Sequence, residues 1–361
     1  MKQDLRNLRP EVHVLICYTY DNGKAVSYEY DTPQFRAELA SWFAPLGLEW
    51  IWTEVLFDNL DRVMERLVAR SKERPIVVFN LCDGSEVDGY PGESVIAALS
   101  AAKLPFSGAS VPFMRASTSK MLTKQLLARA GVPTAPLVRI DETERDVNRA
   151  MREIGPPIIV KPDISGGSVG IDLQSVCFDR DSTIKKIRAL RNDDYFSNTD
   201  IFVEAFIRGR EFSVFVVEDG DEPMGLRALT PSERLFNERL PAMERFVTYE
   251  RNWHLPESNR SIPEGEEYWR LTPVEEPIRP ELEALARRAF RALDGAGYAR
   301  CDLRQDERTG ELFVLEVNAQ CSLSRDPDDA TVGSMLQPSG ITISDLVEMI
   351  LNHALVRSRL P

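Results

Sequence analysis

The sequence predicts a multidomain protein that combines the α/β and α+β fold classes. The chain has 361 residues, which is too long for one ordinary hydrophobic core and indicates two or three domains. Apolar runs of strand length alternate with helical patterns in the first third of the chain, which favours a parallel sheet with flanking helices. A second alternation after residue 117 and an acidic hairpin near residue 300 predict further α+β units.

The first third, residues 1–117, is predicted to form a parallel α/β domain. Two apolar runs, VHVLICY at 12–18 and PIVVFNL at 75–81, are typical of buried strands. Helical patterns cover residues 33–47, 59–72 and 92–103, and the first of them closes at a glycine.

Residues 118–217 are predicted to form a compact α+β unit. A helix over about 117–130 ends at Gly131, and Pro133 follows as a stop signal. Asp141 and Glu144 have capping-box spacing and predict a helix to about residue 153. The strand segments APLV, PIIVKP, GIDLQSV, IFVEAFI and REFSVFVV and a helix at 179–191 complete the unit.

The last part of the chain is predicted to be less regular. Residues 230–277 are rich in Pro, Glu and Arg and have poor periodicity, which predicts long loops around short strands. A helix at 280–294, a hairpin at 298–317 and a helix at 342–356 follow. Thr342 and Asp345 are expected to cap the last helix.

Charge and cysteine content exclude several classes of protein. The chain has 44 basic and 57 acidic residues, a net charge of −13, which argues against non-specific binding to nucleic acid. The apolar run at 12–17 is too short for a signal peptide, and no run approaches the roughly 20 apolar residues of a membrane span. The five cysteines are scattered without a C-x-x-C pair, which indicates reduced thiols. We therefore expect a cytoplasmic protein without a nucleic-acid or membrane partner.

The segment YARCDLRQDERTGELFVLEVNA (298–319) carries the clearest chemical signal. Alternate residues of a strand share a face, so Arg300 and Asp302 lie on one side of the first strand, and Glu316 and Asn318 lie on one side of the second. Two carboxylates and an amide oxygen are hard ligands that suit Mg²⁺. An ordinary exposed face is the alternative, but Glu316 lies in an otherwise apolar strand, where a carboxylate needs a partner or a metal.

The convergence of these ligands depends on the register of the hairpin. With residues 306–310 as the turn, Gln305 is expected to pair with Glu311, and Asp302 is expected to lie opposite Val314. Directly opposed residues lie on the same side of a sheet, so the three predicted ligands would share one surface.

A glycine-rich loop follows Lys161 in IIVKPDISGGSVGIDL. Its residues Ser165, Gly166, Gly167 and Ser168 offer backbone N–H groups and hydroxyl groups to phosphate oxygens, and Lys161 adds a positive charge. The loop is not a Walker A motif, which ends in Gly-Lys-Ser/Thr and opens a helix. It also matches the G-x-S-x-G motif of hydrolases, but that motif requires a following helix, and β-type sequence follows here. A simple hairpin turn is the structural alternative.

The segment FVEAFIRGREFSVFVV places Glu204 and Glu211 on either side of a glycine turn. Both acids flank very apolar sequence, which suits a hinge that hydrogen-bonds adenine and ribose. Either acid could equally be a solvated charge on a strand.

Together these segments resemble the ATP-grasp superfamily and, within it, the D-alanine–D-alanine ligases. The matching stretches span about 80 to 350 and keep their order; they are NLCDGSEVDGYPGESVIAALSAAKLPFSGAS, STSKMLTKQLLARAGVPTAP, IIVKPDISGGSVGI, VEAFIRGREFSV, ARCDLRQDERTGELFVLEVNA and GITISDLVEMIL. The resemblance implies a three-domain architecture: an N-terminal parallel α/β domain (1–117), a central α+β lid subdomain (118–217) and a C-terminal subdomain with an antiparallel sheet and the metal site (218–361).

The resemblance also implies a function. A protein of this kind is an ADP-forming carboxylate–amine ligase, which makes an amide or dipeptide bond through an acyl-phosphate intermediate. Its substrates would be small molecules such as amino acids, and its assembly would be a homodimer. Its cofactors would be ATP and one or two Mg²⁺ ions, for which Mn²⁺ could substitute.

The resemblance further implies a role for each candidate residue. Phosphates would be contacted by Lys120 and Lys161 and covered by a lid at residues 165–170, in which the cofactor-binding residues are Ser165, Gly166, Gly167 and Ser168. Adenine would be surrounded by Glu204, Ala205, Ile207 and Leu315, with Glu211 on the ribose. The metal ligands would be Asp302, Glu316 and Asn318. The catalytic residues would be Arg300, which would stabilise the acyl phosphate, and Ser168.

Three departures from the family pattern concern the amino-acid pockets. The family has a glutamate after the first strand, for which Glu29 is a loose candidate, and Pro-Gly-Met-Thr after the metal asparagine, where this chain has AQCSLSRD. A lysine and a tyrosine of a middle loop align with Asn252 and Trp253, with Arg251 as a substitute charge. We therefore predict a ligase that acts on something other than two D-alanines. A true D-alanine–D-alanine ligase and a non-catalytic ATP-binding regulatory protein are the alternatives.

Overall fold

The computed structural model describes residues 3–27, 30–196, 198–222, 224–255, 260–275 and 277–358. Its α-helices are α1 (Gln3–Leu8), α2 (Pro33–Phe43), α3 (Leu60–Ser71), α4 (Glu93–Ala101), α5 (Val111–Thr118), α6 (Lys120–Arg129), α7 (Thr143–Glu153), α8 (Arg180–Arg191), α9 (Tyr249–Asn252), α10 (Arg279–Ala292), α11 (Gly333–Leu336) and α12 (Ile343–Arg357). Its strands are β1 (Glu11–Cys17), β2 (Thr19–Asp21), β3 (Lys24–Val26), β4 (Trp50–Val55), β5 (Ile76–Asn80), β6 (Leu137–Arg139), β7 (Ile158–Pro162), β8 (Val176–Cys177), β9 (Ile201–Ala205), β10 (Gly209–Glu218), β11 (Leu226–Ala228), β12 (Ser232–Phe236), β13 (Trp269–Pro273), β14 (Tyr298–Asp306) and β15 (Leu312–Ala319). None of the described helices is both long enough and apolar enough to cross a lipid bilayer.

The N-terminal strands form a parallel sheet in the order β4-β1-β5. Every residue of the central strand β1 is buried, as expected for a strand in the middle of a parallel sheet. The C-terminal helix α12 packs against α2 and β5, so both ends of the chain contribute to one hydrophobic core. The predicted parallel α/β arrangement is therefore confirmed for this part of the chain.

The middle of the chain forms an antiparallel sheet in the order β6-β9-β7-β8. Helices α7 and α8 pack against each other and against this sheet, and they enclose a separate hydrophobic core. The prediction of a full strand at GIDLQSV is wrong, since only β8 forms there. A 3₁₀ turn at Leu173–Ser175 precedes β8, because the Asp172 carboxylate accepts a hydrogen bond from the Ser175 hydroxyl at 3.0 Å.

The third sheet is antiparallel, in the order β13-β12-β10-β14-β15, with β11 paired to β10. The predicted placement of REFSVFVV in the unit at 118–217 is wrong, because this strand is β10 and pairs with β14 from Gly209 to Val217. Gly209 permits the change of sheet, since a Cβ there would lie 2.1 Å from the Gln305 carbonyl oxygen. The division into three domains, with its second boundary at 217, stays a prediction.

Two predicted helix caps have different outcomes. The cap of α12 is confirmed, because Thr342 Oγ1 accepts from Asp345 N at 3.2 Å and Asp345 Oδ2 accepts from Thr342 N at 2.8 Å. The cap of α7 is not made by Asp141. Instead, Asp146 in the first turn accepts hydrogen bonds from the backbone N–H groups of Asp141 and Glu142 at 2.9 and 2.8 Å.

Candidate active site

The hairpin of β14 and β15 has a register that differs from the predicted one. Gln305 pairs with Leu312 rather than with Glu311, and Asp302 does not lie opposite Val314. The predicted register is therefore wrong by one residue at the turn. Side chains alternate between the faces of a sheet, so an uncorrected shift of one residue would separate the acids.

A β-bulge restores the alignment of the acidic side chains. Between the pairs Leu303–Val314 and Asp302–Glu316, β15 contains one extra residue, Leu315, which is half-buried. The extra residue brings Asp302 directly opposite Glu316, so both carboxylates occupy one face of the sheet. The structure thus brings the predicted metal ligands together by a route that the sequence does not show.

Asn318 completes this group. Its Nδ2 donates hydrogen bonds to Asp302 Oδ2 at 3.0 Å and to Glu316 Oε1 at 3.3 Å. Ser213, on the neighbouring strand β10, donates from Oγ to Asp302 Oδ1 at 2.7 Å. The described part of the chain has no group of three or more His, Cys, Asp or Glu side chains placed to hold a metal. A metal here would rely on the two carboxylates and, with the Asn318 amide turned to exchange its nitrogen and oxygen, on one amide oxygen. That all-oxygen set fits Mg²⁺ or Mn²⁺.

Arg300 holds one of these carboxylates. Its Nε lies 2.9 Å from Asp302 Oδ1, and its Nη2 lies 2.9 Å from Asp302 Oδ2, which makes a two-pronged ion pair. The Arg300 side chain is still 27% exposed. Part of the guanidinium group is therefore accessible to a molecule bound beside the acids.

The surrounding charges give the two acids different pKa values. Burial raises the pKa of Glu316, but the charges of Lys120, Arg300 and Lys161 outweigh burial and bring it to about 2. Burial raises the pKa of Asp302, and the charge of Glu316 adds to this, so the value stays above the ordinary one despite the opposing effect of Arg300. The influence of both lysines on Glu316 indicates that the lysines and the acids share one site.

Lys120 joins helix α6 to the glycine-rich loop. Its Nζ donates to the Ser165 carbonyl oxygen and, at 3.2 Å, to the Ser165 hydroxyl. Asp163, just before the loop, accepts from Met121 N and from Ser119 Oγ, both at 2.7 Å. The base of the loop is thus fixed to the N-terminus of α6.

The tip of the loop contacts a tryptophan. Trp253 Nε1 donates to the Gly167 carbonyl oxygen at 2.9 Å, and Asn252 Nδ2 lies 3.5 Å from the same oxygen. Gly167 and Ser168 have φ angles of 52° and 62°, in the left-handed region that makes the turn tight. The two residues that align with the family's lysine and tyrosine therefore contact the lid loop.

Glu204 lies between two lysines. Its Oε1 is 2.7 Å from Lys161 Nζ, and its Oε2 is 2.6 Å from Lys124 Nζ. Sequence reasoning missed Lys124. The signal was present, because lysines four residues apart in a helix, Lys120 and Lys124, lie on the same helix face.

The groups expected around adenine and ribose are engaged within the protein. Glu211 forms ion pairs with Arg234 at 3.0 Å and with Arg304 at 2.9 Å. Arg304 also donates to the Ile207 carbonyl oxygen at 2.8 Å, and the Ala205 N–H donates to a backbone carbonyl at 3.0 Å. The structure therefore shows where these groups lie, and their roles toward a nucleotide stay predictions.

Two candidates for the amino-acid pockets have different outcomes. Glu29 lies outside the described residues. Arg251, the predicted substitute charge, has a fully buried side chain that lies 3.1 Å from the Glu244 carboxylate. Burial of that guanidinium beside an acid satisfies its charge inside the protein.

The segment that replaces Pro-Gly-Met-Thr contacts the N-terminal part of the chain. Gln320 Oε1 accepts from Ala109 N at 3.2 Å, and Gln320 Nε2 donates to the Cys82 carbonyl oxygen. Ser324 Oγ donates to Glu38 Oε1 at 2.9 Å. This segment therefore holds the N- and C-terminal parts together next to the site.

Comparison of the sequence with known proteins identifies related chains. The model of a family described as D-ala D-ala ligase C-terminus matches residues 126–352. The D-alanine–D-alanine ligase of Acinetobacter baumannii is 29% identical over 299 residues, which are 83% of this chain and 84% of that protein. The D-alanine–D-alanine ligase of Geobacter sulfurreducens is 30% identical over 256 residues, 70% of this chain and 69% of that protein.

Solved structures show the same fold. The D-alanine–D-alanine ligase from Bacillus anthracis complexed with ATP has a TM-score of 0.65 at 16% identity and covers 97% of this chain and 99% of its own. The D-alanine–D-alanine ligase from Coxiella burnetii has a TM-score of 0.62 at 16% identity and covers 98% of this chain and 95% of its own. The predicted ATP-grasp fold class is therefore confirmed.

Proposed function

This chain belongs to the D-alanine–D-alanine ligase family of ATP-grasp enzymes and is an ADP-forming carboxylate–amine ligase, and we propose that it activates a small carboxylate as an acyl phosphate and transfers the acyl group to an amine. The observation that carries this proposal is the convergence of Asp302, Glu316 and Asn318 on one sheet face. Lys120 and Lys161 lie near enough to lower the pKa of Glu316.

Each part of the site has a distinct task in this proposal. A divalent metal held by Asp302, Glu316 and Asn318 would neutralise charge on the nucleotide's phosphates. Arg300 is placed to stabilise negative charge that develops on the reacting carboxylate, since its guanidinium is partly accessible beside the acids. The loop fixed by Lys120 excludes water from the phosphates when it covers them, with the Ser168 hydroxyl as a donor.

We propose that the substrates are not two D-alanines. The support comes from the segment after the metal asparagine, where Gln320 is buried with φ of 54° and bonds to the backbone of the N-terminal part. The side chains of this segment, AQCSLSRD, differ in chemistry from the family's Pro-Gly-Met-Thr. Trp253 is a second departure from the family pattern, and its large indole donates a hydrogen bond to the lid loop.

The second candidate is a true D-alanine–D-alanine ligase, which the names of the relatives favour. Phosphate release with ATP, Mg²⁺ and D-alanine separates the two. We expect D-alanine alone to support little turnover and a screen of amino-acid pairs to find a better one. Robust turnover with D-alanine alone would overturn the substrate proposal and leave the ligase assignment intact.

We further propose that the enzyme works in the cytoplasm as a homodimer. The resemblance to the family supports both points. Light scattering of the purified full chain measures the assembly, and a mass near 40.8 kDa, that of one chain, would contradict the dimer.

A further inference from the structure

Lys124 is a buried lysine to which the proposed mechanism gives no task. Its side chain is 2% exposed, and its Nζ lies 2.6 Å from Glu204 Oε2. The same Nζ donates to Thr134 Oγ1 at 3.2 Å, and the Thr134 hydroxyl donates to the Val314 carbonyl oxygen on β15 at 2.8 Å. Lys124 therefore connects α6 to Glu204 on β9 and, through Thr134, to β15, the strand that carries Glu316.

The two lysines on Glu204 are not equivalent. Lys161, on the other carboxylate oxygen, is 17% exposed, whereas Lys124 and Glu204 are 2% and 1% exposed. Burial raises the pKa of Glu204, but the charges of the two lysines outweigh burial and lower it. One oxygen of the Glu204 carboxylate thus faces a buried cation, Lys124, and the other faces a partly exposed cation, Lys161.

This asymmetry matters when the nucleotide binds. Because Lys161 Nζ lies 2.7 Å from Glu204 Oε1, we infer that Lys161 loosens this contact when it binds phosphate oxygens. A buried carboxylate without a cation is strongly destabilised, so Glu204 would retain Lys161 if no other cation were present. Lys124 supplies that other cation and cannot itself leave, because it is enclosed and held by Thr134.

We propose that Lys124 is a positioning residue that holds the buried Glu204 carboxylate in place, so that Lys161 is free to exchange Glu204 for the nucleotide's phosphates. This inference rests on the proposed nucleotide site. Lys124 then affects phosphate binding indirectly, because it releases Lys161 from Glu204.

The test compares ATP with adenosine, which lacks phosphates, by calorimetric binding to the full chain with Mg²⁺. We expect Lys124→Met to weaken ATP binding by about tenfold or more, as for a lost charged hydrogen bond. Adenosine affinity should stay within about twofold. Lys124→Arg should restore part of the ATP binding, because the guanidinium keeps the charge although it is larger than the enclosed ammonium.

A second lysine offers a matched control. Lys186 is 7% exposed, and its Nζ lies 2.9 Å from Asp172 Oδ1, so Lys186→Met also removes a buried cation from an acid. It should leave the ratio of ATP to adenosine affinity unchanged. Equal loss of ATP and adenosine binding in Lys124→Met would show a structural role only and would overturn the inference.

The double variant Lys124→Met/Glu204→Gln removes both buried charges together and gives a second test if Lys124→Met alone does not fold. A neutral amide does not retain Lys161, so ATP affinity in the double variant should match that of Glu204→Gln alone. A further loss of ATP affinity in the double variant would contradict the proposed route. If Lys161→Ala leaves ATP affinity unchanged, the proposed nucleotide site itself fails; if Lys161→Ala weakens ATP binding and Lys124→Met does not, only this inference fails.

Discussion

The contact between the lid loop and Trp253 predicts a large effect of Gly167→Ala. Gly167 has φ of 52°, and a Cβ there would lie 2.8 Å from Trp253 Cζ2. An alanine must therefore adopt a left-handed conformation and also displace the indole. Displacement of the indole breaks the hydrogen bond from Trp253 Nε1 to the Gly167 carbonyl oxygen.

The magnitude follows from these two costs. The left-handed conformation costs an L-residue about 1 kcal/mol, and the lost hydrogen bond costs about 1 kcal/mol more. Together they destabilise the observed conformation of the loop by about 2 kcal/mol. If that conformation covers the phosphates, as proposed, kcat/KM for ATP should fall by about 30-fold. In a Trp253→Ala background only the backbone cost remains, and Gly167→Ala should then cost about fivefold.

The assay is ADP formation at varied ATP, for the four combinations of the two substitutions. Gly310→Ala is the matched control, since Gly310 has φ of 76° and no atom within 4 Å of an added Cβ. It carries the same backbone cost in the hairpin turn and should leave kcat/KM unchanged. An equal loss from Gly167→Ala with and without Trp253 would refute the proposed contact.

The remaining predictions concern the acids, one lysine and the N-terminal sheet. Asp302→Asn and Glu316→Gln should each lose most turnover and need more Mg²⁺ for half-maximal rate, while circular dichroism shows an intact fold; near-normal rates in both would remove them from the metal site. Lys161→Ala should weaken ATP binding by about tenfold, measured by calorimetry, and unchanged affinity would exclude it from the phosphate site. Glu11→Gln should lower the free energy of unfolding at neutral pH by about 1 to 2 kcal/mol. A hydrogen bond from Arg70 is the largest effect on Glu11 and helps bring its pKa to about 2 from the ordinary 4.5, so the wild-type advantage should be complete above pH 4.5 and disappear as the pH falls toward 2. Urea unfolding at several pH values checks this, and an advantage that persists unchanged at pH 2 would contradict it.

The metal-type ligands could be predicted because their pattern is local. Glu316 and Asn318 share a face through strand alternation alone, and Asp302 follows from the facing strand of the same hairpin. The register could not be predicted, because the bulge at Leu315 depends on packing around the hairpin. Here the bulge cancels a one-residue shift that began at the turn, so a wrong register still gave the right surface.

Glu204 shows the opposite case. The sequence indicated an acid next to apolar strand residues but not what lies against it. Its partners come from β7 and α6, about 40 and 80 residues away in the chain. Pairs between elements this far apart in the chain are fixed by tertiary packing, and no local pattern specifies them. The same holds for β10, whose strand pattern was evident while its sheet was not.

The residues that depart from the family pattern also connect distant parts of this chain, which limits how specificity can be changed. Restoring Pro-Gly-Met-Thr would remove the Gln320 side chain that pairs with the Cys82 carbonyl oxygen and the Ala109 N–H. Each buried backbone group left without a partner costs about 1 to 3 kcal/mol. Ser324, which bonds to Glu38, would be disturbed by the same exchange. A grafted segment should therefore lower the free energy of unfolding, and this loss should appear even if the choice of amine does not change. A screen of amino-acid pairs on the unmodified chain is for this reason the more decisive way to identify the substrates.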